Sequence, residues 1–148
     1  MKTDGDVKFD APREAVWKAL NDVEVLQACI PGCESLSVVG ENEFQAKVKA
    51  KVGPVNSSFN TTINLEDVLE PESYSLRVHS KGGAAGIGEA IARVNLIDES
   101  PGTSLKYEVE FKVKGKLAQI GSRLIMNVIQ KLSREFFESF ESRIKSDT

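Results

Sequence analysis

The sequence is poor in the residues that most metal sites and nucleophilic active sites require. It has 148 residues, with two cysteines, Cys29 and Cys33, and one histidine, His79. A structural zinc site needs about four such ligands, so no metal centre is expected unless carboxylates supply it. The cysteines lack the CxxC redox spacing; we interpret them as structural thiols, with a disulfide as the alternative. A Ser-His-Asp or Cys-His group would have to be built around His79, so the composition argues against an enzyme.

Long hydrophobic runs and blocks of basic residues are also missing. The 19 Lys and Arg residues against 22 Asp and Glu residues leave a net charge of -3, which offers no electrostatic surface for nucleic acid. No apolar stretch approaches the roughly 20 residues that span a bilayer, and the N-terminus lacks the apolar centre of a signal peptide. These features predict a cytoplasmic protein. Without a linker or an internal repeat, residues 1–148 are expected to form a single domain.

Hydrophobic residues recur first at helical spacing and then at every second position. A short strand near Asp6–Asp10 is followed by a helix that buries Trp17 and by a second short helix near Glu24–Cys29. From Glu34 to Lys114 apolar and polar residues alternate, which predicts six antiparallel strands with one buried face. Trp17 is expected to anchor the core.

The alternation places three lysines side by side on the exposed face of one strand. Lys47, Lys49 and Lys51 alternate with apolar residues, and we interpret them as a solvated face that discourages association between sheets. The facing strand is expected to set Asn64 and Glu66 against them. The alternative is that these lysines dock an anionic surface or a partner.

The last element is the longest. Residues 117–145 contain no proline and one glycine, Gly121, which predicts a single helix of roughly 43 Å. Its apolar residues share one broad sector, so the helix must cover the apolar face of the sheet. The predicted fold is α+β in the order β-α-α-β6-α, with a curved, antiparallel seven-stranded sheet wrapped around the C-terminal helix. Such a sheet curls away from the helix at its ends and leaves an apolar pocket for a small molecule.

The inner faces of the sheet and the helix are expected to form the wall of this pocket. The residues predicted to line it are Phe59, Thr61, Ile63, Tyr74, Leu76, Val78, Ala92, Val94, Tyr107, Val109, Leu124 and Val128. The residues predicted at its mouth are Pro31, Gly82, Gly83, Gly86 and Gly121. Tyr74 and Tyr107 can orient a ligand by hydrogen bonding, but a phenol with a pKa of about 10 is a poor acid or base at neutral pH. Since His79 falls on the polar face, we expect a binding site with no catalytic residue and no metal.

The glycine-rich segment Lys81–Gly88 does not fit a phosphate-binding loop. Gly83, Gly86 and Gly88 have the spacing G-x-x-G-x-G, whereas a dinucleotide loop requires G-x-G-x-x-G. The residues after it alternate like a strand, so no helix N-terminus would meet a phosphate. We expect a flexible hairpin connection that lines or gates the mouth of the pocket.

Several short motifs together resemble the CoxG family, named for the G subunit of carbon monoxide dehydrogenase. The motifs are Ala11–Trp17, Ile30–Cys33, Val52–Pro54, Lys81–Gly88, Gly102–Leu105 and Gly115–Arg123. The family belongs to the START-like, or helix-grip, superfamily, which includes Bet v 1 allergens, polyketide cyclases and lipid-transfer domains. The resemblance implies a non-enzymatic accessory protein of a molybdenum-containing carbon monoxide dehydrogenase-type system. It also implies a hydrophobic cavity that holds a quinone or other apolar lipid, with no covalently bound cofactor.

The resemblance also links the family to the membrane and leaves other functions open. Longer members carry a linker and a hydrophobic tail, which this sequence does not show before it stops at Thr148, so contact with the inner face of the membrane would be peripheral. One alternative is a cyclase or hydratase of aromatic substrates, which needs an ionisable group inside the cavity. Another is a pure interaction protein that docks its partner through Lys47–Lys51.

Overall fold

The seven strands and the first two helices follow one another in the predicted order. The computed structural model describes residues 1–146. The elements are β1 (Lys2–Phe9), α1 (Arg13–Leu20), α2 (Val23–Cys29), β2 (Cys33–Gly40), β3 (Glu43–Val52), β4 (Val55–Leu69), β5 (Ser73–Lys81), β6 (Ile87–Glu99), β7 (Gly102–Lys114), α3 (Lys116–Gln119) and α4 (Ser122–Ser146). A short 3₁₀ turn, Gly83–Ala85, lies between β5 and β6. The strands and the long C-terminal helix confirm the predicted α+β class.

All seven strands form one antiparallel sheet in the order β1-β7-β6-β5-β4-β3-β2. Strands β2 to β7 pair with their neighbours in sequence, and β1 pairs with β7 at the far edge. In this register Tyr74 lies beside Val94, which lies beside Tyr107. The alternation in the sequence therefore becomes a continuous apolar face on the inner side of the sheet.

The C-terminal helix bridges this inner face. At backbone level α4 contacts α1, α2, β1 and β3, and it makes fewer backbone contacts with the middle strands β5 and β6. Phe140 and Ile144 are buried near its end, and Ile125 is buried near its start. Within residues 1–146 no helix combines the length and the apolar content needed to cross a membrane. The helix is anchored at both sides of the sheet and leaves room over its centre.

The C-terminal helical segment is interrupted near its start, in contrast to the single helix predicted over residues 117–145. A short helix, α3, ends before Gly121, and α4 begins immediately after it. Gly121 has a φ of +103°, which lies outside the helical region. Its carbonyl accepts a hydrogen bond from the Ile125 N–H at the start of α4. Because glycine adopts positive φ without a steric penalty, this single glycine marks the break.

The core is divided into three apolar clusters. The largest lies under α1 and contains Trp17 and Tyr74, whose rings meet edge to face with centroids 5.3 Å apart. This contact confirms Trp17 as a core anchor. A second cluster forms around Phe44, and a third forms around Phe59 near α3 and the 3₁₀ turn.

Candidate ligand-binding cavity

A cavity of about 360 Å³ lies between the inner face of the sheet, α2 and α4. Its wall is almost entirely apolar, and its polar side chains are Tyr74, Tyr107 and Ser133. None of the described residues that line it is an Asp, Glu, Lys, Arg or His. The volume lies within the usual range of small-molecule pockets. The cavity therefore has room for a small apolar molecule, and its wall has no charged side chain that could pair with a charged one.

Strand register builds the floor of the cavity. Leu76, Ala92 and Val109 lie side by side on β5, β6 and β7, and each lines the cavity. Ala92 carries only a methyl group at the centre of this row, so the space between the sheet and α4 is not filled there. Leu132 and Phe136 of α4 form part of the opposite wall.

Many of the predicted cavity residues meet in this wall. Seven of the twelve line it, namely Ile63, Tyr74, Leu76, Ala92, Val94, Tyr107 and Val109. Pro31, predicted at the mouth, also lines the cavity. That a ligand contacts these side chains stays a prediction.

The other five predicted lining residues lie outside the wall. They are Phe59, Thr61, Val78, Leu124 and Val128. Phe59 packs with Leu117 of α3 in the third cluster, and the hydroxyls of Thr61 and Ser80 hydrogen-bond each other at 2.8 Å. Leu124 is 39% exposed in the first turn of α4. Because α3 and the 3₁₀ turn fill that end of the inner face, the cavity is confined to the end beneath α1 and α2.

The four glycines predicted at the mouth lie away from the cavity. They are Gly82, Gly83, Gly86 and Gly121. A Cβ at Gly82 would collide with the Phe59 ring, and one at Gly86 would collide with the Lys114 carbonyl oxygen. The Gly82 N–H also donates to the Gly86 carbonyl oxygen at 2.9 Å. Glycine is needed at positions 82 and 86 because the turn packs closely against its neighbours there, and the turn does not line the cavity.

The thin part of the wall is the turn between α2 and β2. Ile30 and Pro31 line both the cavity and an outer cleft that contains Glu135 and Glu138 of α4. The turn is held to β3 because the Lys49 N–H donates to the Gly32 carbonyl oxygen at 2.9 Å. Because Ile30 and Pro31 lie between the cavity and the outer cleft, access to the cavity is expected beside this turn.

Several wall residues were not among the predicted lining residues. They are Leu20, Leu26, Ile30, Leu36, Phe44, Val48, Leu65, Leu105, Leu132, Ser133, Phe136 and Phe137. Leu132 and Phe136 share the apolar sector of α4, and Phe44 shares the alternating pattern of β3. Those patterns identify buried faces, but they do not distinguish a side chain that faces a cavity from one packed in the core.

Two tyrosines supply most of the polar groups of the wall. Tyr107 stacks on Phe137 with ring centroids 5.2 Å apart, and Ser133 of α4 also lines the cavity. Burial raises the pKa of Tyr107, and the nearby Ser133 side chain opposes that rise. Tyr74 is 4% exposed, and burial raises its pKa as well. Both phenols are therefore neutral at physiological pH and serve as hydrogen-bonding groups.

Carboxylate, histidine, lysine, arginine and cysteine side chains of the described chain lie outside this wall. His79 pairs with Glu89 on the outer face, with 3.4 Å between Nδ1 and Oε1, as the alternation predicted. Cys29 and Cys33 are free thiols. Among residues 1–146 no three His, Cys, Asp or Glu side chains cluster as a metal-ligand set. The wall thus lacks the carboxylate or imidazole that the cyclase or hydratase alternative requires.

Comparison with protein families agrees with the motifs in the sequence. The family model for the G subunit of carbon monoxide dehydrogenase (CoxG) matches residues 5–145. The chain belongs to the CoxG family. No curated protein matches this CoxG-family chain. A solved structure of a conserved protein from Geobacillus kaustophilus is similar to it, with a TM-score of 0.93 and 29% identity over 99% of this chain and 96% of that one.

More distant structures show how the CoxG chain is folded. Ara h 8.0201 is similar with a TM-score of 0.74 and 18% identity, over 99% of this chain and 98% of that one. The aromatase/cyclase Zhui from a Streptomyces species has a TM-score of 0.72 and 13% identity, over 98% of this chain and 93% of its own. At these identities the likeness shows the fold alone, and it confirms the predicted helix-grip architecture.

Proposed function

We propose that this CoxG-family protein is a non-enzymatic accessory protein of a molybdenum carbon monoxide dehydrogenase-type system. In this proposal it holds an apolar ligand, a quinone or another lipid, in the cavity between the sheet and α4. The single observation that carries the proposal is the cavity itself, about 360 Å³ in volume and lined by uncharged side chains. Family membership supplies the link to the dehydrogenase.

The chemistry of the wall favours binding over catalysis. Acid–base catalysis at neutral pH needs a group whose pKa lies near 7, whereas burial raises the pKa of both cavity phenols away from that range. The hydrophobic effect favours transfer of an apolar molecule into such a space, at about 25 cal/mol per Å² of apolar surface removed from water. The wall is thus suited to retain a ligand unchanged.

Mass spectrometry of the native protein tests this proposal. We expect organic extraction of protein purified from its own host to release one apolar compound in a near-stoichiometric amount. We also expect ligand-free protein to bind a soluble quinone analogue in a calorimetric titration. An empty cavity in native protein that also refuses quinones and other apolar probes would contradict the proposal.

A second candidate function, docking of an acidic partner, is favoured by the outer face of β3. We call Lys47, Lys49 and Lys51 the lysine row. Its members lie opposite Asn60, Ser58 and Asn56 of β4, and within the described residues none has an acidic partner. Neither Asn64 nor Glu66 faces the row as predicted: Asn64 lies opposite Glu43, and Glu66 accepts from Arg77 at 3.2 Å. The reason is register: Glu66 lies beyond the end of the β3–β4 pairing. The row therefore offers unneutralised positive charge to an anionic surface.

Charge reversal tests this docking role. We expect replacement of all three residues of the lysine row by glutamate to weaken co-purification with the dehydrogenase at least about tenfold, because repulsion replaces attraction across the interface. The matched control reverses Lys106, Lys112 and Lys114, which are exposed on the outer side of β7 and give the same change in net charge. Equal co-purification of both variants with the enzyme would contradict the docking role.

A further inference from the structure

The Tyr74 hydroxyl is an unpaired polar group in the wall of an apolar cavity. The side chain is 4% exposed, lines the cavity, and packs its ring edge to face on Trp17 at 5.3 Å. Among the described residues no side chain or backbone group forms a hydrogen bond with it. Desolvation is the cause of its raised pKa, with no hydrogen-bonding contribution. The hydroxyl is thus largely withdrawn from bulk water and has no hydrogen-bond partner among the described residues.

The buried serine and threonine hydroxyls of the sheet are paired, which sets Tyr74 apart. The Thr61 and Ser80 hydroxyls hydrogen-bond each other at 2.8 Å, and the Thr103 hydroxyl donates to the Ala11 carbonyl oxygen at 2.7 Å. Buried hydroxyls in native proteins are nearly always satisfied, because an unmade hydrogen bond costs the full desolvation of the group. Within residues 1–146, Arg13 Nε is the buried side-chain nitrogen or oxygen that is inaccessible to solvent and also lacks a hydrogen bond. The Tyr74 oxygen also lacks a hydrogen bond but does not share that state, so it keeps some accessible surface. A bound molecule can reach it there.

The charge of the wall restricts what that molecule can be. No cationic side chain of the described chain lines the cavity, so a carboxylate would enter without a counter-charge and would lose its hydration. A pure hydrocarbon would leave the Tyr74 hydroxyl unpaired. A neutral molecule with an acceptor oxygen meets both conditions, because a phenol O–H donates readily to a carbonyl oxygen.

We propose that Tyr74 donates a hydrogen bond to the carbonyl oxygen of a neutral, otherwise apolar ligand and so selects ketone, quinone or ester carbonyl compounds over fatty acids and hydrocarbons. This inference rests on the proposed ligand-binding function and adds the residue that hydrogen-bonds the ligand's polar group. Because Tyr74 lies against Trp17 of α1, the carbonyl end of the ligand points towards α1 and its apolar part extends between the sheet and α4.

Three probes of nearly equal size separate the relevant chemistries. They are methyl naphthyl ketone, isopropenylnaphthalene, in which a methylene group replaces the carbonyl oxygen, and naphthoate, which carries a carboxylate. Each is titrated by calorimetry at pH 7 into wild-type protein freed of lipid, into Tyr74→Phe and into Tyr107→Phe. The substitution at Tyr74 removes one oxygen and keeps the ring against Trp17. Tyr107→Phe removes the other phenol of the wall, which is only partly buried.

We expect Tyr74→Phe to weaken ketone binding about three- to tenfold, as loss of one net hydrogen bond does, and to leave the hydrocarbon isostere unaffected. Tyr107→Phe should change the ketone affinity less, and naphthoate should bind wild-type protein at least about tenfold more weakly than the ketone. Without ligand, Tyr74→Phe should melt at an unchanged or higher temperature, since it removes an unpaired buried hydroxyl.

The outcomes distinguish this inference from the proposed function. If the ketone and the hydrocarbon both bind and Tyr74→Phe changes the affinity for neither, the cavity binds ligands but Tyr74 does not hydrogen-bond them. If naphthoate binds as tightly as the ketone, selection for neutral carbonyl compounds is wrong. If ligand-free Tyr74→Phe melts several degrees lower, the hydroxyl has a protein partner and the premise fails. If no probe binds to any of the proteins, the ligand-binding function itself is contradicted.

Discussion

Replacement of Ala92 by phenylalanine is expected to abolish ligand binding while the protein stays folded. Ala92 lies at the centre of the cavity floor, between Leu76 and Val109. A phenyl ring at this position occupies the space that a ligand needs. We expect the affinity for methyl naphthyl ketone to fall at least about a hundredfold, or about 2.8 kcal/mol, in a calorimetric titration. Since the ring enters existing space, the strain should stay below the usual overpacking cost of about 1–3 kcal/mol.

The neighbouring residue provides the matched control. Ile91 is next to Ala92 in β6 but points to the outer face, where it is 46% exposed. Ile91→Phe should therefore bind the ketone with wild-type affinity. Retention of binding by a folded Ala92→Phe would place the ligand outside this cavity. Unfolding of that variant, seen by circular dichroism, would mean that the space is too small for one aromatic ring and would contradict the volume argument.

Replacement of Phe140 by alanine is expected to produce the largest loss of stability among single substitutions in α4. Phe140 is 0% exposed, and its ring centroid lies 5.4 Å from that of Phe9 and 5.7 Å from that of Phe136. The substitution removes these contacts and leaves a void between α4 and β1. Large-to-small changes of this kind cost about 3–5 kcal/mol, which urea-induced unfolding measures directly.

A more exposed leucine on the same helix provides the control. It tests whether the loss of stability comes from the burial of Phe140 or from placing alanine anywhere in α4. Leu124→Ala changes a side chain that is 39% exposed, so it should cost no more than about 1 kcal/mol in the same unfolding experiment. A loss at Phe140 as small as that at Leu124 would contradict the view that the end of α4 anchors the helix to the sheet. The anchoring matters for the cavity because Phe136, one turn earlier in α4, forms part of its wall.

The fold could be predicted from the sequence because its signals are local. Alternation from Phe44 onward identifies strands since successive side chains of a strand point to opposite faces. The spacing of apolar residues in α4 identifies one buried helical sector. The same alternation predicts that His79 points to the outer face of the sheet, and its pairing there with Glu89 of the neighbouring strand agrees with this. The family resemblance of the motifs was confirmed by the match over residues 5–145.

The extent of the cavity could not be predicted from the alternation of side chains alone. Phe59 and Ile63 lie on the same face of β4, yet only Ile63 lines the cavity. Leu117 of α3 fills the space over Phe59 because Gly121 breaks the helical segment and separates α3 from α4. The glycine at that break is visible in the sequence, but the position of the short helix that precedes it is not.

The sequence by itself determined the order of the strands and the side to which each residue points, because these depend on spacing between near neighbours along the chain. Its motifs also resembled the CoxG family, which the family match confirmed. Only the tertiary structure decided which part of the apolar face stays empty. That outcome depends on where α4 crosses the sheet and on the summed volumes of side chains far apart in sequence, such as Ile30, Ala92 and Phe136. It also decided that the Tyr74 hydroxyl has no partner among the described residues, since a missing hydrogen bond depends on everything packed around the group and leaves no local pattern in the sequence.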